Sequence, residues 1–392
     1  MIKLIKSTFY NEKATKRALC DFILKTKQLS IGKEVVKFEK DFSKWQGKKH
    51  SVMFNSGSSS NLALIQALIN LKKINSGDSV GFSAVTWATN VMPLITMNLK
   101  PVPIDIELNT LNISSSKISQ AYKKHKFKCL FITNLLGFSG DMEAIVMFCK
   151  KNNITLIEDN CESLGTEYDD KKLGNFGIAS TFSFFVGHHM STIEGGMVCT
   201  DNKEIDTMLR MVRSHGWDRH LDSEEQNKLR RKNKVDEFYG KYTFYDIGYN
   251  LRPTEIQGFL GANQLKYLDR IINKREQNYK KLSKIFYNKD FIKVDTGKLT
   301  KISNFSFPLI CNNKHTRDKY LNLAKKNKIE IRPIVAGNIS DQTFFVKYVA
   351  KKFSLKNAKK IHNNGFYFGN NPDITKKEIE TLIETFSKRT NG

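Results

Sequence analysis

Six cysteines (Cys20, Cys129, Cys149, Cys161, Cys199 and Cys311) are scattered over 392 residues, with no C-x-x-C pair among them. That spacing argues against a disulfide framework or a cysteine-built zinc site and suits reduced thiols in apolar surroundings. Long apolar runs are also missing. No stretch approaches the ~18 apolar residues that span a bilayer, and the opening MIKLIKSTFYNEKATKRAL breaks into charge too early for a secretory signal. The expectation is a soluble, cytoplasmic protein with no membrane partner. Acidic residues are scarce, 39 against 64 lysines and arginines, for a net charge of +25. Yet the lysines fall in short pairs such as Lys123-Lys124 and Lys280-Lys281, without an aromatic-interleaved basic stripe or recognition motif, so no nucleic-acid partner is expected. The one dense run, KLRRKNK (228–234), lies among polar residues that read as a loop. A lysine-rich solvated surface accounts for the charge, and a field of that sign also steers an anionic substrate such as a nucleotide sugar.

What is present alternates. SVGFS (79–83), KPVPIDIE (100–107), KCLFITNLLG (128–137), ITLIED (154–159), STFSFF (180–185) and GGMVCTD (195–201) read as strands. Between them, 61–71, 141–152 and 203–216 carry helical periodicity. This order predicts an α/β fold with a mostly parallel sheet covered on both faces. A single long helix over about 252–286 would then link a large domain (1–250) to a smaller α+β domain (251–392).

Several short motifs could carry chemistry. In FNSGSSSNLALIQAL a strand end, a Ser-Gly-Ser turn and a helix start follow one another. That arrangement suits a phosphate cradle at a helix N-terminus, and equally a serine cap with no ligand. Asp159, in LIEDNCESLG, ends an apolar strand, where open α/β sheets place ligand-binding groups. It would pair with a cation, which a protonated pyridine or a structural Lys or Arg could supply, and Glu162 could reach the same pocket. Trp87 follows another strand and could stack on a flat ring or belong to the core. His188 and His189 end FSFFVGHH. They lack the helical spacing and neighbouring carboxylate of a metal site, so no metal is expected. Histidine suits acid/base work at neutral pH, and a buried pair with satisfied polar tips is the alternative.

Taken together, these motifs and SHGW, EGGMVCTD and GYNLRPTEIQGFLGANQL resemble, in order and over nearly the whole chain, the sugar aminotransferases with the aspartate-aminotransferase fold. That is fold type I, dependent on pyridoxal 5′-phosphate. The resemblance implies a seven-stranded, mostly parallel central sheet between helices. It implies that Gly57, Ser58 and Ser183 hold the cofactor phosphate, Trp87 stacks on the ring, Asp159 pairs with its nitrogen and Glu162 contacts the ring hydroxyl. Asn250 would reach the phosphate from the partner subunit of a homodimer with shared active sites.

One departure matters. The position of the cofactor-binding lysine holds His188, and no lysine occurs from Leu173 to Asn202. A branch of the family makes this exchange: the 3-dehydratases of dideoxysugar biosynthesis. A lysine would hold pyridoxal phosphate covalently and favour amine transfer, whereas histidine leaves it free to work as pyridoxamine 5′-phosphate. The implied activity removes the C3 hydroxyl of a GDP-4-keto-6-deoxy sugar, with L-glutamate restoring the amine form. A 4-aminotransferase or an inactive relative are the other readings. A sister branch needs an iron–sulfur cluster held by cysteines of the C-terminal half. Only Cys311 lies beyond Cys199, and one thiol cannot hold a cluster, so no iron–sulfur cluster is expected. His189, His215, Arg219 and Arg332 fall in segments typical of the branch and would line the sugar or glutamate site.

Overall fold

The computed structural model describes residues 1–287 and 290–387. The last five residues of the expected small domain therefore lie outside the described residues. The central sheet has seven strands: β1 (His50–Phe54), β2 (Ser79–Ser83), β3 (Lys100–Ile104), β4 (Cys129–Thr133), β5 (Thr155–Asp159), β6 (Ala179–Ser183) and β7 (Gly196–Thr200). They lie in the order β1-β7-β6-β5-β4-β2-β3. β7 runs antiparallel to both neighbours, and every other pairing is parallel. The expected seven-stranded, mostly parallel sheet is thus present, with β1 added to the strands read from the sequence.

Alternation along a buried strand shows why both faces are covered. Cys129 and Phe131 of β4 point into the core beneath helices Gly57–Asn70 and Lys203–Val212, while Leu130 and Ile132 point into the core on the opposite face. All four are at most 1 % exposed, which is why the strand reads as a continuous apolar run.

Beyond the sheet, β8 (Ser306–Ile310), β9 (Ile331–Pro333) and β10 (Gly365–Gly369) form a small antiparallel sheet in the order β8-β10-β9. The N-terminal residues run beside it: Ile2 exchanges backbone hydrogen bonds with Lys328 and Glu330.

Two local expectations are corrected. The single linking helix over 252–286 is two helices, Glu255–Leu265 and Leu268–Phe286. The first opens on a Thr254/Gln257 capping box, and Gly258 and Gly261 let it press against Val35 and Phe38. The second buries Ile271, Leu282 and Phe286 against other partners. One straight helix cannot serve both surfaces, and the break at Lys266–Tyr267 redirects the chain. The basic run 228–234 is not a loop. Ser223–Asn233 is a helix capped by Asp222, with Glu224 and Glu225 in its first turn and Arg230, Arg231 and Lys232 in its last. Its charges match the helix dipole, but with no buried face it shows no apolar periodicity.

Candidate active site

β1, β4, β5 and β6 end on the same edge of the sheet, and residues just beyond those ends line one cleft of about 680 Å³. Gly57, Ser58, Trp87, Asp159, Glu162, Ser183, His188 and Arg332 all stand in its wall.

The cradle is built where helix Gly57–Asn70 starts. Ser56 caps it by accepting from the Ser59 amide at 3.1 Å. The amides of Gly57 and Ser58 have no acceptor in the first helical turn and are available to an anion. Glycine is needed at 57 because of close approach. A Cβ there would lie 2.6 Å from Cβ and 2.9 Å from Oγ of Ser183. Gly57→Ala therefore pushes the two sides of the cradle apart. Overpacking of about 1–3 kcal/mol outweighs the ~1 kcal/mol that Ala gains in helix propensity. Affinity for pyridoxal phosphate, titrated by absorbance, should fall about tenfold or more.

Asp159 is 3 % exposed. Its Oδ2 accepts from Asn61 Nδ2 at 3.1 Å and Asn90 Nδ2 at 2.8 Å, and its Oδ1 accepts from the Cys161 amide at 2.9 Å. All three donors are neutral, and no ion pair involves this carboxylate among the described residues, so the structural salt bridge allowed by the sequence is not what holds it. A buried anion with only neutral donors, facing a cleft, is matched to a positively charged nitrogen entering that cleft. Neither Asn61 nor Asn90 was expected at this carboxylate from the sequence. The readable signal was spacing: Asn61 lies four residues after Gly57 on the same helix face, and Asn90 lies one turn after Trp87.

Glu162 accepts from the Leu136 amide at 2.9 Å. Burial, only partly opposed by that bond and aided by the Asp159 charge, pushes its carboxyl up to about 8. At neutral pH it carries a proton and can donate it. Trp87 is 54 % exposed, so it belongs to the cleft wall and not to the core.

His188 sits on the tight connection from β6 to β7. Its amide donates to the Phe185 carbonyl at 2.9 Å, and its ring lies edge-on to Phe305, centroids 5.2 Å apart. Nδ1 is buried without a partner, so Nε2 is the nitrogen offered to the cleft. Burial first, then the Arg275 charge, lowers its pKa to about 4. The imidazole is therefore neutral at physiological pH and ready to accept a proton. No lysine lines this cleft among the described residues. Arg332 donates to Glu330 at 2.7 Å, and the other Glu330 oxygen accepts from the Leu4 amide at 3.0 Å.

Three residues expected to line the substrate site, His189, His215 and Arg219, do not line this cleft, and Asn250, expected to act on the partner subunit's site, does not line its own. His189 does not line the cleft: its Nε2 meets the Ser303 carbonyl at 3.0 Å in the interior, so it is the satisfied partner of the pair. His215, Arg219 and Asn250 are exposed; Ser214 bridges Asn250 and Arg219 packs over Trp217. They do not line the cleft of their own chain. Near them in sequence Phe238, Tyr239, Tyr242, Phe244 and Ile247 are all more than half exposed, with Tyr242 and Phe244 packed on Trp217.

Comparison with known proteins gives the family of the chain. The model of the DegT/DnrJ/EryC1/StrS aminotransferase family matches residues 11–387. The chain is 34 % identical over 374 residues to GDP-4-keto-6-deoxy-D-mannose 3-dehydratase of Yersinia pseudotuberculosis, covering 93 % of this chain and 94 % of that one. Among solved structures, the Escherichia coli GDP-4-keto-6-deoxy-D-mannose 3-dehydratase with bound hydrated pyridoxal phosphate superposes with a TM-score of 0.90 at 33 % identity, covering 98 % of this chain and 99 % of that one. A GDP-4-keto-6-deoxymannose 3-dehydratase with a trapped pyridoxal phosphate–glutamate geminal diamine gives the same TM-score at 32 % identity, covering 98 % and 100 %.

Proposed function

The chain belongs to the DegT/DnrJ/EryC1/StrS aminotransferase family, and within it we propose a pyridoxamine-phosphate-dependent 3-dehydratase that removes the C3 hydroxyl of a GDP-4-keto-6-deoxy sugar. The observation that carries this reading is the cleft itself. Its wall brings together Gly57, Ser58 and Ser183, which would cradle a phosphate, the buried Asp159 and His188, and among the described residues no lysine stands in it. An amine-transferring relative needs a lysine there.

The residues fit the cofactor. Gly57, Ser58 and Ser183 would hold the phosphate, Asp159 the ring nitrogen, Trp87 a ring face and protonated Glu162 the ring hydroxyl. When bound, the amine form supplies an electron sink joined to the sugar at C4. Nε2 of His188 would serve as the base of the reaction and then as the acid that protonates the departing C3 oxygen, so that water leaves. Arg332 offers a guanidinium to a carboxylate of L-glutamate. The electrons balance: C3 loses its oxygen as water, and glutamate is oxidised to 2-oxoglutarate with release of ammonia.

The exposed aromatic residues, with His215, Arg219 and Asn250, would belong to a homodimer, each subunit completing the other's cleft. The same reading places the protein in the cytoplasm, where nucleotide sugars are made; no described helix is long and apolar enough to cross a membrane. It also divides the chain near residue 250 into a cofactor-binding and a smaller domain.

The test is stoichiometric. With pyridoxamine phosphate, L-glutamate and a GDP-4-keto-6-deoxy sugar, one ammonia should appear per sugar consumed. Sugar consumption without ammonia would mean amine transfer and end this reading.

A further inference from the structure

Behind the turn that carries His188 stands a buried arginine with no ion-pair partner among the described residues. Arg275, on helix Leu268–Phe286, is 5 % exposed. Its Nη2 donates to the main-chain carbonyl of His188 at 3.1 Å, and its own carbonyl accepts from Asn370 Nδ2 at 3.0 Å. Its Nε has no partner, and no ion pair involves Arg275 among the described residues. A cavity of about 40 Å³ lies against Arg275, His188 and His189. It is far too small for a sugar or an amino acid, so this guanidinium does not meet substrate.

A buried cation held without an ion pair is expensive even with Asp373 acting on it from a distance, and an apolar side chain of similar length would fill the site at less cost. The charge must therefore be explained by its neighbour. We propose that Arg275 is a positioning residue for His188, its guanidinium fixing the main chain under the imidazole and setting the local positive field in which that ring works. The inference rests on the dehydratase reading for its consequence, but not for its geometry.

The effect has a definite sign. Burial pushes Arg275 down to about 9, with Asp373 opposing, so it is charged at neutral pH. A cation beside an imidazole disfavours the imidazolium. Arg275 is second only to burial in lowering His188, and acts the same way on His189. Arg275, His189 and Tyr10 are the titratable groups lining the cavity at the back of the ring, and Asp373 acts on Arg275. Across the cleft stand Asp159, Glu162, Glu194, Glu330, Arg332 and Tyr367, which Arg275 variants leave in place. An imidazole kept neutral and held in one orientation can serve as base without a carboxylate to orient it, and His188 has none.

The experiment compares Arg275→Met, Arg275→Gln and Arg275→Lys with the unaltered enzyme, each checked for folding by its melting transition. Two readouts are used. One is the pH midpoint of the His188 ring in ¹³C-histidine spectra, assigned by its loss in His188→Asn. The other is the glutamate half-reaction, followed by cofactor absorbance. In Arg275→Met the midpoint should rise by half a pH unit or more from about 4 towards the ordinary 6.5. The maximal rate should fall about tenfold, as for a misplaced base, with KM for glutamate within about twofold. Arg275→Gln, which keeps a donor but not the charge, should shift the midpoint equally while losing less rate, and it serves if the Met variant does not fold. Arg275→Lys should restore the midpoint. An unshifted midpoint in a folded Met or Gln variant overturns the proposal, as does failure of Lys to restore it. Absence of any half-reaction in the unaltered enzyme would instead remove the function proposed above, and the spectroscopic midpoint would still decide the role of Arg275.

Discussion

His188→Asn should lower C3 deoxygenation by about 10²–10⁴-fold, the usual contribution of a positioned acid/base group, while leaving cofactor affinity unchanged. The cradle at Gly57, Ser58 and Ser183 and the carboxylate of Asp159 are built by other elements and do not lean on the imidazole. Asparagine keeps much of the side chain's size and a polar tip against Phe305, so the turn should keep its shape. Single-turnover rates separate the chemical step from binding. His188→Lys makes a sharper version of the same point. The amine should capture pyridoxal phosphate covalently, so that the cofactor stays with the chain through borohydride reduction and denaturation, and dehydration should cease. Retained dehydration in either variant would remove His188 from the mechanism.

Glu39→Ala should destabilise the fold by about 3–5 kcal/mol, the cost of leaving a buried ion pair half broken. Glu39 is 4 % exposed. Its Oε1 accepts from Arg213 Nη1 at 2.6 Å and the Met53 amide at 2.8 Å, and its Oε2 accepts from Arg210 Nη1 at 2.9 Å. Arg213 is 2 % exposed, so deletion of the carboxylate strands a guanidinium in the interior. Although burial alone would raise the Glu39 carboxyl, Arg213 and Arg210 hold it below its ordinary 4.5. The stabilisation is therefore full above pH 4.5 and lost as pH falls through the depressed value. The network ties helices Lys33–Gln46 and Lys203–Val212 to β1, whose end carries the phosphate cradle. Urea midpoints should show the loss with an unchanged slope, and a shift under 1 kcal/mol would show that the network carries little of the fold.

The parts of this molecule that follow period and punctuation were legible in its sequence. β2 matched residue for residue, β3, β4, β5 and β7 lay within their apolar runs and β6 began one residue before its run, because a strand buried on both faces writes itself as continuous hydrophobicity. The cleft residues Asp159, Ser183 and His188 were legible because they sit at or just past strand ends, where this topology places ligand groups. What could not be read depends on tertiary partners. The helix break at Lys266–Tyr267 reflects two different packing surfaces, and the helix Ser223–Asn233 has no apolar face to betray it. Neighbouring residues can also part company: His188 enters the cleft and His189 finds the Ser303 carbonyl, a distinction fixed by a chain segment more than a hundred residues away. Arg275 left no local trace because its partner is a main-chain carbonyl.

The central claim, that His188 converts an aminotransferase scaffold into a deoxygenating one, is tested most directly by the mass of the sugar product. After incubation with pyridoxamine phosphate, L-glutamate and GDP-4-keto-6-deoxymannose, mass spectrometry should find a nucleotide sugar lighter than the substrate by one oxygen and containing no new nitrogen. A product that retains the C3 oxygen and carries an amine at C4 would contradict it.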